Sequence, residues 1–337
     1  MTLPEPFSTW FPDAAFDGSY GRSEAELRSV RPVPAPAGFD ERWRRWRAEA
    51  AAVDAAPVVV SSAPQRGHRV SVIEHSGSDG VRLRAWVVEP LHAPARVGVV
   101  HGHGYGGRDA IDLARVPADA AAIFPVARGL PSLNAGVGAP EPRDRHVLGG
   151  IDDPERYVLG LCARDLWLAA DALTALVGDL PLYYVGESFG GGIGALALPW
   201  DGRYVGATLI VPSFGQYDER LAVPCLGSGE TVRRHVLAHP SAREGLRWFD
   251  ASTGIGFARV PVRVEAALWD QYVPPQGQFA VAAGARDVEL AVLPAGHTEY
   301  PGSLRVVADA VRGGRAHLER ALASRALRTA ARSPLRR

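Results

Sequence analysis

At 337 residues the chain has room for one large domain or two small ones. Hydrophobic residues make up 47% and charged residues 22%, a globular balance that excludes a mainly disordered or fibrous chain. Its 37 basic residues, all arginine, match 37 acidic ones. No net field therefore draws it to nucleic acid or anionic lipid, and chemistry needing a lysine is excluded.

In chain order, residues 1–38 are rich in proline, glycine and aromatics and predict an irregular lead-in, with Pro32, Pro34 and Pro36 alternating. Asp40 stands where it can cap a helix over Glu41–Val53, whose Trp43 and Trp46 share one packing face. Strands follow at 69–75 and 81–88, joined by a hairpin turn over Ser76–Gly80. The second alternates Leu83, Ala85 and Val87 against Arg82 and Arg84, the pattern of a half-exposed antiparallel strand. Later runs lose the alternation: 97–100, 182–185, 207–211, 262–268 and 288–293. Such runs suit parallel strands covered on both faces. Between them, Leu166, Ala169, Leu173 and Leu176 recur at helical spacing and stop at Gly178.

Strands alternating with helices predict an α/β fold. The expected sheet is doubly wound and mostly parallel, with helices on both faces and an antiparallel N-terminal edge. The chain divides into an extension over 1–66 with its first helix, a main domain over 67–314, and an Arg-rich helix or tail over 315–337. That last stretch sets seven arginines against Glu319, and a solvated tail is the preferred reading. Cys162 and Cys225 are too few for a disulfide framework and read as core fillers in a reducing compartment. No basic and apolar leader opens the sequence, and no run of ~18 apolar residues could span a membrane. The expectation is a cytoplasmic protein with neither membrane nor nucleic-acid partner.

The most informative window is Gly186-Glu187-Ser188-Phe189-Gly190, a G-x-S-x-G that follows a short apolar strand and precedes a helix-compatible stretch. A sharp strand-to-helix turn that presents a serine needs small residues two before and two after it. Serine is a weak nucleophile and needs a base held by an acid. Downstream, one strand ends at Asp270 and the next at His297, giving the order Ser188, Asp270, His297 at matching strand ends. The loop His101-Gly-His-Gly-Tyr105 follows another buried strand. It places the N–H of Tyr105 to join that of Phe189 in holding an oxyanion.

Two rival readings use the same residues. Gly102, Gly104 and Gly107 match G-x-G-x-x-G, with Arg128 available to a ribose phosphate, but no acidic residue ends the next strand for the ribose. His101-x-His103 and His235-x-x-x-His239 have ligand spacing without a supporting carboxylate or cysteine cluster. Neither a cofactor nor a metal is expected.

With these residues in place, the chain resembles the acetyl xylan esterase and cephalosporin-C deacetylase family, carbohydrate esterase family seven, over about Phe39–Tyr300. The likeness rests on Phe39-Asp40 with Trp43, Val87-Val-Glu-Pro90, His103-Gly-Tyr-Gly-Gly-Arg108, Arg128-Gly129, Gly149-Gly-Ile-Asp-Asp-Pro154, and Gly186-Glu-Ser-Phe-Gly-Gly191. Asp270 with Val273-Pro-Pro275, and then His297, complete it. The resemblance implies an α/β-hydrolase that removes small acyl groups, usually acetyl, from sugars or alcohols, often as ring-like hexamers. Three positions depart from the family. Its glutamine after the nucleophile is Phe189, its Arg-Gly-Gln reads Arg128-Gly129-Leu130, and its glutamate after the histidine is Thr298. Replacing two glutamines by phenylalanine and leucine predicts a more apolar pocket, drawn from His103, Arg128, Leu130 and Pro212.

The expected function is a serine carboxylesterase acting on a small-molecule ester, with a homo-oligomer as the expected assembly. Thioesterase, acyltransferase or peptidase activity on the same triad is the alternative, followed by a hydrolase-fold binding protein that has lost activity.

Overall fold

The computed structural model describes residues 5–140 and 143–332. Nine strands form a single sheet: β1 (Val58–Gln65), β2 (His68–Ser76), β3 (Arg82–Pro90), β4 (Val97–Gly102), β5 (Ala120–Pro125), β6 (Leu182–Glu187), β7 (Tyr204–Ile210), β8 (Val262–Ala267) and β9 (Val288–Leu293). Their order is β1-β2-β3-β5-β4-β6-β7-β8-β9. Pairings from β1 through β3 to β5 are antiparallel, and the other five strand neighbours run parallel. The change in hydrophobic pattern along the sequence tracks this division. β2 and β3 alternate in exposure, whereas β4, β5 and β8 are buried at every position.

The principal helices are α1 (Phe39–Ala51), α2 (Val158–Val177), α3 (Phe189–Ala197), α4 (Ser228–Ala238), α5 (Pro275–Gly284) and α6 (Ser303–Arg332). Successive strand residues point to opposite faces, so one strand feeds two cores. Leu182 and Tyr184 enter the larger core with Trp43, Trp46 and Trp167, while Tyr183 and Val185 join Leu318 and Ala321 on the other side. The tryptophans of α1 do share one face. Trp43 is fully buried, its ring meets Trp46 edge-on at 5.0 Å, and its indole N–H donates to the Trp248 carbonyl at 3.1 Å. Trp43→Ala should therefore lower unfolding free energy by about 3–5 kcal/mol, seen as a fall in the denaturant midpoint at unchanged slope.

Three local expectations need correction. The N-cap of α1 is Gly38, at φ 76°, and Asp40 sits inside the first turn, where its charge favours the helix dipole. β1 falls within the stretch read as an extension. Its eight residues are all exposed, and it pairs with β2 across a register shift between Val59 and Ser61. The solvated-tail reading of the C-terminal stretch gives way to a helix, because α6 runs unbroken from Ser303 to Arg332. Gly313 and Gly314 lie inside it, and a Cβ on Gly313 would stand 2.6 Å from the Arg263 guanidinium. The glycines thus mark a close approach to the sheet rather than a break. Leu318 is buried there, and His317 Nδ1 shares a hydrogen bond with the Tyr183 hydroxyl at 2.6 Å. Residues 333–337 of that stretch lie outside the described residues. Among the described residues, no helix is long and apolar enough to cross a membrane.

Candidate active site

Ser188 occupies the turn between β6 and α3, with φ 51° and ψ −109°. A non-glycine residue at positive φ stores strain, and the surroundings hold it there. The Ser188 N–H donates to the Ile210 carbonyl at 2.8 Å, and the Ser188 carbonyl accepts from Gly192 and Ser213 at 3.0 and 2.9 Å. The flanking glycines have separate reasons. A Cβ on Gly186 would come within 2.6 Å of the Gly190 carbonyl, and one on Gly190 within 2.8 Å of the backbone at Gly102 and His103. The Gly190 N–H donates to the His103 carbonyl at 2.9 Å, which ties α3 to the loop after β4.

The other two side chains of the sequence-derived triad meet Ser188 at the carboxyl edge of the parallel strands. His297 Nε2 lies 2.8 Å from Ser188 Oγ, and His297 Nδ1 lies 2.7 Å from Asp270 Oδ2. Asp270 is fully buried. Its Oδ1 accepts from the Tyr272 and Val273 amides at 2.9 and 3.1 Å, and its Oδ2 also accepts from Gln278 Nε2 at 2.9 Å. Gln278, on α5, is locked in turn. Its Nε2 donates to the Val273 carbonyl at 2.7 Å and its Oε1 accepts from the Ala267 amide at 2.8 Å. Gly296 precedes the histidine because a Cβ there would strike the Asp270 carboxylate.

Burial of His297 disfavours its charged form, but the Asp270 carboxylate, its hydrogen bond and the charge of Glu187 outweigh this. Together they raise the imidazole above its ordinary 6.5. A general base must be neutral, so if His297 serves as one, activity should be lost as pH falls through that raised value. kcat/KM should show a one-proton acid limb with its midpoint above 6.5. Glu187→Gln removes a charge that favours the imidazolium and should move the limb toward acid; a limb that stays put would contradict the assignment.

Tyr105 and Phe189 both border the cleft at Ser188. Phe189 is the first residue of α3, so no carbonyl within the helix serves its N–H. The Tyr105 ring packs edge-on to Phe189 at 5.5 Å, and its hydroxyl lies 2.9 Å from His146 Nδ1. The cleft itself is about 300 Å³, and Phe214, Tyr272 and Val273 supply much of its apolar wall.

The four residues expected in the pocket are not brought to it. His103 is buried behind the loop, where burial and the Arg108 charge push its pKa down to about 4. Kept neutral, it donates from Nδ1 to the Gly104 carbonyl at 2.7 Å and accepts the Ala127 amide at Nε2 at 2.9 Å. Arg128 is 0% exposed and paired with Asp79 and Asp165 at 2.7 Å each. Leu130 is fully buried in the larger core, and Pro212 backs onto Gly191 of α3. None of the four lines the cleft. Of the glycines in the rival dinucleotide reading, Gly102 ends β4 and Gly104 and Gly107 close one turn at 3.0 Å; no helix follows them before β5, so the phosphate-binding helix that reading needs is missing.

Sequence reasoning did not find Gln278, Ser213, Arg220 or Glu187. Ser213 Oγ stands 3.4 Å from Ser188 Oγ, and Arg220 and Glu187 line the cleft. Only Glu187, inside the pentapeptide, carried a signal that could have placed it there.

No protein-family model and no curated protein matches the sequence. Solved structures do match. An acetyl xylan esterase from Paenibacillus sp. superposes with a TM-score of 0.73 at 19% identity, over 87% of this chain and 99% of that one. Acetyl xylan esterase 1 from Thermoanaerobacterium sp. gives 0.71 at 19%, over 89% and 99%. An acylaminoacyl peptidase from Pyrococcus horikoshii gives 0.55 at 12%, over 78% and 49%. Identities this low speak to architecture. Taken with the mostly parallel sheet, its antiparallel edge and the helices on both faces, they show that the chain has the α/β-hydrolase fold.

Proposed function

We propose that the chain is a serine carboxylesterase that removes a small acyl group, acetyl foremost, from an alcohol or sugar. One observation carries the reading: Ser188 Oγ, His297 and Asp270 form a continuous hydrogen-bonded chain with links of 2.8 and 2.7 Å. In the first half of the reaction Ser188 Oγ attacks the ester carbonyl carbon while His297 Nε2 takes its proton. Asp270 stabilises the imidazolium, and the amides of Phe189 and Tyr105 hold the oxygen as it gains negative charge. When the carbon–oxygen bond to the alcohol breaks, His297 returns the proton to the departing oxygen. Water then enters, gives a proton to the same nitrogen and attacks the acyl carbon; as the acyl–serine bond breaks, His297 returns that proton to Ser188 Oγ and the carboxylic acid leaves.

The cleft volume of about 300 Å³ suits a short acyl group with a modest alcohol. A fluorophosphonate should label the wild-type protein at Ser188, and turnover of nitrophenyl esters should fall from acetate to octanoate. Absence of labelling would overturn the serine mechanism. Faster cleavage of an acetyl-amino-acid anilide than of acetate esters would favour a peptidase.

A further inference from the structure

The cleft holds a cation that the hydrolytic steps do not use. Arg220 ends the short helical turn Tyr217–Arg220 and lines the same space as Ser188 and His297. It is only 5% exposed, and its Nε is buried without a hydrogen-bond partner. Among the described residues no carboxylate forms an ion pair with it. Its guanidinium instead faces the Phe214 and Tyr217 rings at 5.5 and 5.7 Å. Other buried arginines have partners: Arg128 carries Asp79 and Asp165, Arg164 carries Glu49, Arg263 carries Glu265 and Glu289, and Arg108, which has no carboxylate among the described residues, donates to the His101 carbonyl and ring at 2.9 Å each. A buried guanidinium with no carboxylate and an unsatisfied Nε is costly, so a cleft that keeps one suits a charge that arrives.

A second feature converges on the same place. Helix α4 opens at the cleft, its N-cap Gly227 makes no side-chain hydrogen bond, and Leu226, Gly227 and Ser228 line the cavity. A Cβ on Gly229 would lie 2.5 Å from Arg220 Nη2, so the guanidinium is lodged against the first turn. Glu230 does not neutralise it. One Glu230 oxygen accepts the Cys225 amide and the other is held by Arg233 and Arg234. Uncapped helix amides and a planar guanidinium together suit an anion.

We propose that Arg220 and the N-terminus of α4 form a subsite for a carboxylate on the substrate, making the substrate class a monoanionic acyl ester. This rests on the esterase reading. One guanidinium balances one negative charge, whereas a phosphate near −2 would leave an excess beside Glu187.

Two matched pairs test it: 4-acetoxybenzoate against its methyl ester, and mono-4-nitrophenyl glutarate against its methyl ester. Wild type should prefer the carboxylate member of at least one pair by about tenfold or more in kcat/KM, with the preference shrinking as salt rises. In Arg220→Met the ratio should drop to about one or below, and Arg220→Lys should keep part of it. Equal rates for both members in wild type, or a ratio unmoved by Arg220→Met, would overturn the subsite. A reading without variants guards against misfolding: benzoate should inhibit wild type at least about tenfold more tightly than benzamide, and equal inhibition would sink the proposal. Preference for 4-acetoxyphenyl phosphate over 4-acetoxybenzoate would overturn the carboxylate assignment. If no ester of either pair reacts, the esterase reading fails. A thermal upshift with benzoate but not benzamide then still supports the subsite, and equal shifts reject it.

Discussion

Ser188→Ala is expected to lower kcat for ester hydrolysis by about a hundred-thousand-fold, with little change in melting temperature. The substitution deletes the atom proposed to attack and the partner of His297 Nε2, a nitrogen that borders the open cleft and can turn to water. The turn itself is held by backbone bonds from Ser188 to Ile210, Gly192 and Ser213, none of which needs the hydroxyl. Residual rate would come from the oxyanion donors and from binding alone. Initial rates on a nitrophenyl acetate, with fluorophosphonate labelling in parallel, read the effect. A loss smaller than about a hundredfold would mean that another group attacks the ester.

Asp270→Asn should cost about ten-thousand-fold in kcat, an expectation drawn from the same change in a well-known protease triad. Here the local geometry adds a second penalty. Every group that the Asp270 oxygens meet is a donor: the Tyr272 and Val273 amides on one oxygen, and Gln278 Nε2 with His297 Nδ1 on the other. An asparagine must turn its NH2 toward one of these sets, donor against donor. Facing the backbone amides, it leaves two N–H groups unpaired. Facing the histidine, it forces the tautomer with the proton on Nε2, which cannot accept the serine proton. Stability should fall by about 1–3 kcal/mol alongside activity, measurable by denaturant titration. Full stability with full activity would remove Asp270 from the proposed relay.

Much of this geometry was legible in the residues. The pentapeptide around Ser188, and the ends of two downstream apolar runs at Asp270 and His297, are local signals. The topology of a parallel sheet brings such strand ends together. What escaped the sequence depends on contacts between distant segments. β1 has neither alternation nor a buried face, so its strand character comes only from pairing with β2. Gln278 reads as an ordinary helical residue until α5 sets it against Asp270. Arg128 matched a motif and Leu130 stood where that motif departs, but a motif position does not say which way a side chain points. Arg128 turns inward to two carboxylates, and Leu130 turns into the core. Gly313 and Gly314 do not interrupt the last helix, which passes close over charged side chains there.

The loop bearing Asp270 leans on the first residues of the described chain. Phe11 stacks on Trp269 with ring centres 3.9 Å apart, the Asp270 N–H donates to the Gly18 carbonyl at 2.9 Å, and Gln271 Nε2 donates to the Phe16 carbonyl at 2.5 Å. Segments about 250 positions apart must therefore meet before the acid has its final seat, a late and entropically demanding closure. During synthesis the Ser188 turn emerges long before Asp270, so under the proposed mechanism activity is expected only once both of these distant segments have docked.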